Sequence, residues 1–83
     1  MHRNRGYDMD TLGRRVAGKR AEHRCTQQRL ADQADVTQRT IAMVETGNRT
    51  GLSVGTLVAI ADVLDVSLDY LVFGEASARR GKR

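Results

Sequence analysis

Apolar residues recur along this chain at the three- and four-residue spacing of helices, in short runs separated by polar breaks. Leu12, Val16 and His23 lie on one stripe of a first predicted helix, from Asp10 or Thr11 to about Arg24. Leu30 and Ala31 mark a second, Gln27 to Ala34, and Ile41 and Val44 a third, Gln38 to about Thr46. Leu57, Ile60, Ala61 and Leu64 define a fourth after Ser53, and residues 68–73 form a short fifth, ended by Gly74. Thr26, Thr37, Ser53 and Ser67 each stand where a hydroxyl N-cap is wanted. Gly47 sits where the third helix needs a left-handed stop. Gly13 and Gly18 weaken the first helix by roughly 1 kcal/mol each relative to Ala, so tertiary packing must hold it. The expected fold is all-α, with five helices in one domain over residues 10–74. Residues 1–9 lack periodicity and read as a loose segment; residues 75–83 have the composition of a flexible basic tail.

The run Ala31-Asp32-Gln33-Ala34-Asp35-Val36-Thr37 echoes Ala61-Asp62-Val63-Leu64-Asp65-Val66-Ser67. In each, an Asp that tolerates a left-handed backbone ends a helix, a Val tucks under, and a hydroxyl caps the next helix. One helix-turn-helix corner is used twice. Across the first corner, the third helix divides into two faces. Ile41 and Val44 point inward with Glu45 at the edge, while Arg39, Ala42, Met43 and Thr46 point outward and Gln38 flanks the first turn. Near a helix N-terminus Arg pairs with guanine and Gln with adenine, and Met43 and Ala42 suit thymine methyl groups.

Charge sharpens this picture. The net charge of +4 is unevenly placed. Residues 9–49 hold eight basic against five acidic residues, whereas 50–74 hold Asp62, Asp65 and Asp69 and no basic residue. The tail adds Arg79, Arg80, Lys82 and Arg83 against Glu75. The positive half coincides with the two-helix corner, the distribution expected when one face meets phosphates. Eighty-three residues allow one small domain with no effector domain beside it, and the near absence of aromatics leaves an aliphatic core. Cys25 is the only cysteine, so no internal disulfide forms, and no apolar run is long enough for a membrane span or signal core. Both suit a cytoplasmic, nucleoid-associated protein.

Leu12-Gly13, Arg20, Thr26-Gln27, Leu30-Ala31, Val36-Thr37, Ile41, Glu45-Thr46-Gly47 and the closing run from Leu64 to Leu71 together carry a resemblance. From Leu12 to Gly74 the chain resembles the helix-turn-helix family of phage lambda-type repressors and Cro proteins, which includes small restriction–modification controllers. The resemblance implies a five-helix domain binding double-stranded operator DNA, usually as a homodimer. It implies that Gln27 binds phosphate, that Gln38, Arg39 and Met43 read bases, and that Thr37, Thr40 and Arg49 contact the DNA backbone. It further implies a partly buried ion pair between Arg20 and Glu45. The chain departs from the family's pattern at Asp35 and Asp65, where relatives often have Gly, and at Thr50-Gly51, where many have Pro.

The acidic half carries more apolar residues than a minimal core requires, which places a dimer interface around Leu68, Val72 and Phe73. His2, His23 and Cys25 lack the partner spacing of a metal site, and His23 and Cys25 are assigned to packing. No nucleophile–base pair or phosphate-cradling glycine loop appears, so neither an enzyme nor a cofactor is expected. The expected function is a sequence-specific transcription regulator, a repressor or autoregulatory controller acting on an inverted repeat. Two alternatives remain open: an antitoxin that grips a toxin protein through its acidic half, and a non-specific nucleic-acid adaptor working through its tails.

Overall fold

Five helices follow one another in the computed structural model, which describes the backbone of residues 4–50 and 52–74 and side chains from Leu12 onward. They are α1 (Asn4–Glu22), α2 (Gln27–Ala34), α3 (Gln38–Glu45), α4 (Val54–Leu64) and α5 (Leu68–Phe73). The segment expected to be loose is therefore helical from Asn4. Residues 4–9 contain no Pro, and once a nucleus exists each added residue needs only propagation. At its other end α1 stops at Glu22, short of the predicted Arg24, because Arg24 adopts a left-handed φ of 54°. The tail 75–83 lies outside the described residues.

The four later helices begin alike. Thr26, Thr37, Ser53 and Ser67 hold extended backbone, and each hydroxyl accepts the free backbone N–H three residues on. Such a cap is worth about 1 kcal/mol against Ala.

The exits of α1 to α4 also share one solution. At Asp35 and Asp65 the backbone turns left-handed. Val36 and Val66 then donate back to the carbonyls of Ala31 and Ala61 at 2.9 and 3.0 Å. The same bond pattern closes α1 through Arg24, with Cys25 N–H on the Arg20 carbonyl, and α3 through Gly47, with Asn48 N–H on the Met43 carbonyl. The corner predicted at Asp35 and Asp65 thus occurs a third time at Arg24, and the left-handed stop expected at Gly47 uses the same bond before a loop.

Leu12 and Val16 of α1, Leu30, Ala31 and Ala34 of α2, Ile41 and Val44 of α3, Ile60, Ala61 and Leu64 of α4, and Leu71 of α5 form one buried cluster. Leu57, expected inside, is only partly buried against it. Cys25 also packs partly against this core. His23 does not belong to the α1 stripe: it lies past the helix end, exposed, and its Nε2 donates to the Leu64 carbonyl at 2.9 Å. Only the tautomer carrying the Nε2 proton makes that bond to a carbonyl.

Arg15 was not singled out by the sequence pattern. Its Nε and Nη2 donate to the Leu71 and Val72 carbonyls at 2.9 and 3.0 Å, clasping the last turn of α5 to α1. A cation there also opposes the negative end of the helix dipole.

Candidate nucleic-acid interface

The α2–α3 corner is anchored from its inner side. Leu30, Ala31, Ala34, Ile41 and Val44 bury its inner side, so the outer side of α3 is held out from the domain. In the first turn of α3, Gln38 and Arg39 are exposed. Ala42 and Met43 are half-buried, so Met43 projects less than its place on the helical wheel predicts. Thr46 and Arg49 are exposed, and Arg49 follows in the loop after the helix. That loop is shaped by Asn48, whose Oδ1 accepts from the Thr50 N–H at 2.9 Å.

Thr37 and Thr40 sit together at the start of α3. The Thr37 hydroxyl accepts the Thr40 N–H at 3.1 Å, and the two hydroxyl oxygens are 3.0 Å apart. Whichever hydroxyl donates to the other, one O–H proton of the pair is left for a further acceptor.

Arg20 and Glu45 meet across α1 and α3. Arg20 Nε donates to Glu45 Oε2 at 2.7 Å and Nη2 to Oε1 at 3.1 Å, a bidentate pairing, while Nη1 donates to the Cys25 carbonyl at 2.9 Å. The side chains retain 22% and 9% of their exposure. The hydrogen bond to Glu45 raises the Arg20 pKa above its ordinary value, and burial opposes that only in part.

Gln27, at the start of α2, joins this pair. Its Nε2 donates to Glu45 Oε1 at 3.0 Å, and its Oε1 accepts from Gln38 Nε2 at 3.3 Å. A candidate phosphate ligand, a candidate base reader and the ion pair therefore form one connected set. Nothing in their spacing along the chain marks this link.

The residues expected at a dimer contact behave differently from one another. Phe73 is 66% exposed, whereas Leu68 and Val72 are half-buried. On α4, Val54 and Val58 are 68% and 48% exposed, an apolar pair one turn apart. Among the described residues no group of three or more His, Cys, Asp or Glu gathers as a metal site would require. Nor is any described helix long and apolar enough to cross a membrane.

A helix capped at both ends, set on a second short helix through a left-handed corner and backed by three more, is the helix-turn-helix plan. Residues 17–71, well over half the chain, match the profile of the helix-turn-helix family, and the chain belongs to that family in its Cro/C1-type branch. It is also similar to the uncharacterized HTH-type transcriptional regulator YqaE of Bacillus subtilis (strain 168), at 38% identity over 60 residues. That match takes in 72% of this chain and 51% of YqaE, so the chain spans about half the length of this relative.

Proposed function

We propose that this chain is a sequence-specific DNA-binding regulator of transcription that lays α3 in the major groove. One observation carries the reading. The inner face of α3 is locked into the core by Ile41 and Val44, while Gln38 and Arg39 stand exposed in its first turn. Side chains of these types at the N-terminal end of a recognition helix reach base edges. Gln38, Arg39 and Met43 face the bases in this reading, and Gln27, Thr37, Thr40 and Arg49 face phosphates. The free ends of the α2 backbone at Gln27 favour an anion as well. The protein acts as a repressor or autoregulatory controller, as a two-fold dimer on an inverted repeat.

Selection of binding sites from random duplexes tests this directly. A short, two-fold consensus is expected, with no enrichment at all as the contrary outcome. Deleting residues 75–83 separates a specific reader from a tail-driven adaptor. The reader keeps its consensus at lower affinity; the adaptor loses nearly all binding.

A protein-partner reading draws on Val54 and Val58, which put exposed apolar surface on residues 50–74, the stretch that carries only acidic charge. An antitoxin would use such a face, and it would co-purify with a small basic protein.

A further inference from the structure

Glu45 is the fixed point of a chain of hydrogen bonds that ends at the exposed reader of α3. Its carboxylate can only accept. The atom of Gln27 facing it at 3.0 Å must therefore be the amide nitrogen, which turns the Gln27 carbonyl oxygen toward Gln38. That oxygen in turn requires a donor, so Gln38 presents its Nε2 at 3.3 Å. Each amide could be reversed in isolation. Anchored to a carboxylate that Arg20 holds by two bonds, neither is free to reverse.

We infer that Glu45 is a positioning residue for base reading: through Gln27 it fixes which edge of the Gln38 amide faces outward. This rests on the proposal that α3 reads DNA. With one Nε2 proton given to Gln27, Gln38 offers outward its Oε1 and its second N–H, an acceptor beside a donor. That pair matches the N6–H and N7 of adenine. The arrangement of Glu45 thus selects adenine at the Gln38 position, although Glu45 touches no base.

Replacing Glu45 by Gln breaks the relay. The carboxylate accepts from Arg20 Nε, Arg20 Nη2 and Gln27 Nε2, and an amide has only one oxygen to offer them. Whichever way the new amide turns, its NH2 faces a donor of Arg20, and the fixed orientation of Gln27, and with it that of Gln38, is lost.

The test is binding-site selection on the full chain and on Gln38→Ala, Glu45→Gln and Gln27→Ala, each with a thermal melt. Gln38→Ala identifies the base pair concerned. Glu45→Gln should lower the preference for adenine there by about tenfold, the scale of one bidentate contact. The preference at the Arg39 position should stay as it is. Gln27→Ala leaves the Arg20–Glu45 pair intact, so it keeps the fold, and should flatten the Gln38 position in the same way. An unchanged adenine preference in folded Gln27→Ala protein overturns the inference. So does a uniform weakening at every position in Glu45→Gln that tracks its loss of stability. Side-chain amide NMR of the DNA-free protein gives an independent reading: the Gln27 and Gln38 resonances should shift in Glu45→Gln. If those shifts appear while the parent selects no sequence, the relay exists and the DNA-reading proposal fails, and the inference about bases falls with it.

Discussion

A β-carbon built on Gly13 would lie 2.5 Å from the carbonyl oxygen of Glu45 and 2.8 Å from that of Val44. The backbones of α1 and the end of α3 thus touch at a place where only glycine fits. Gly18, one and a half turns further along α1, has nothing within 4 Å of such an atom. The two glycines look equivalent in the sequence and have opposite roles. Gly13→Ala should destabilise the domain by about 2 kcal/mol, since overpacking outweighs the gain in helix propensity. Gly18→Ala should stabilise it by about 0.5–1 kcal/mol. Thermal melts of the two variants should move in opposite directions, several degrees each way for a domain of this size. Equal shifts would remove the close approach.

Arg20→Ala should cost about 2 kcal/mol, between the small worth of an exposed pair and the larger penalty of orphaning a buried charge. Glu45 would remain, largely buried, with only Gln27 to satisfy it. The pH behaviour follows from the direction of the Arg20 shift. A raised pKa means its stabilising share is complete below the ordinary arginine range and is lost only as pH climbs past the raised value. The stability difference between parent and Arg20→Ala should therefore not shrink while lysines titrate. A gap that closed on that limb of a pH series would show that another group carries the effect.

Much of this was legible in the sequence because it is local. The Thr26, Thr37, Ser53 and Ser67 caps and the Asp35 and Asp65 corners each depend on a few consecutive residues, so order and type alone give them away. The Arg24 corner escaped because arginine rarely turns left-handed, and nothing in its neighbours marks the turn. Gly13 was misread as a mere weakness because its partner lies thirty-two positions away in α3. Separation in sequence likewise hid the clasp of Arg15 on α5 and the link from Glu45 through Gln27 to Gln38. The helical wheel assigned Met43 outward from its angle alone; a half-buried Met43 reflects neighbours that an isolated helix does not have.

The Arg15 clasp yields a prediction of its own. Besides the two carbonyls, its guanidinium carbon lies 5.9 Å from the centroid of the Tyr70 ring. Arg15→Ala should cost about 1–3 kcal/mol through the lost charge-assisted bonds. Arg15→Lys should recover little, because an ammonium cannot span two carbonyls with a planar fork. Amide hydrogen exchange should quicken in α5 before it does in α2 or α3. Protection lost evenly across the domain would mean the clasp is not local to α5.

For Arg39, exposure makes the expectation simple. Its side chain is not part of the core, so Arg39→Ala should leave the melting temperature nearly unchanged. Against the selected site it should cost about 1–3 kcal/mol of binding and relax the preference at one base pair. A phosphate contact would instead weaken all sequences alike and lower the salt dependence by about one ion. Identical selection profiles for parent and variant would take α3 out of the recognition role.

Phe73 offers the cleanest probe of assembly. At 66% exposure it contributes little to the core, so Phe73→Glu should fold with a stability within about 0.5 kcal/mol of the parent. Val72 and Leu68 are half-buried, and charging them would confuse folding with association. One short recognition helix covers too few base pairs to single out a site, so a dimer is expected on half-sites roughly 10 base pairs apart. If α5 forms the dimer contact, losing an aromatic anchor there should weaken association by about 2 kcal/mol, near thirtyfold in Kd. Sedimentation should then show dissociation at concentrations where the parent is dimeric, and operator binding should fall to weak half-site occupancy. Val58→Glu, on the outer face of α4, is the matched control at 48% exposure. Dissociation by Val58→Glu and not by Phe73→Glu would move the interface from α5 to α4. A parent that stays monomeric at high concentration, with and without DNA, would end the dimer model.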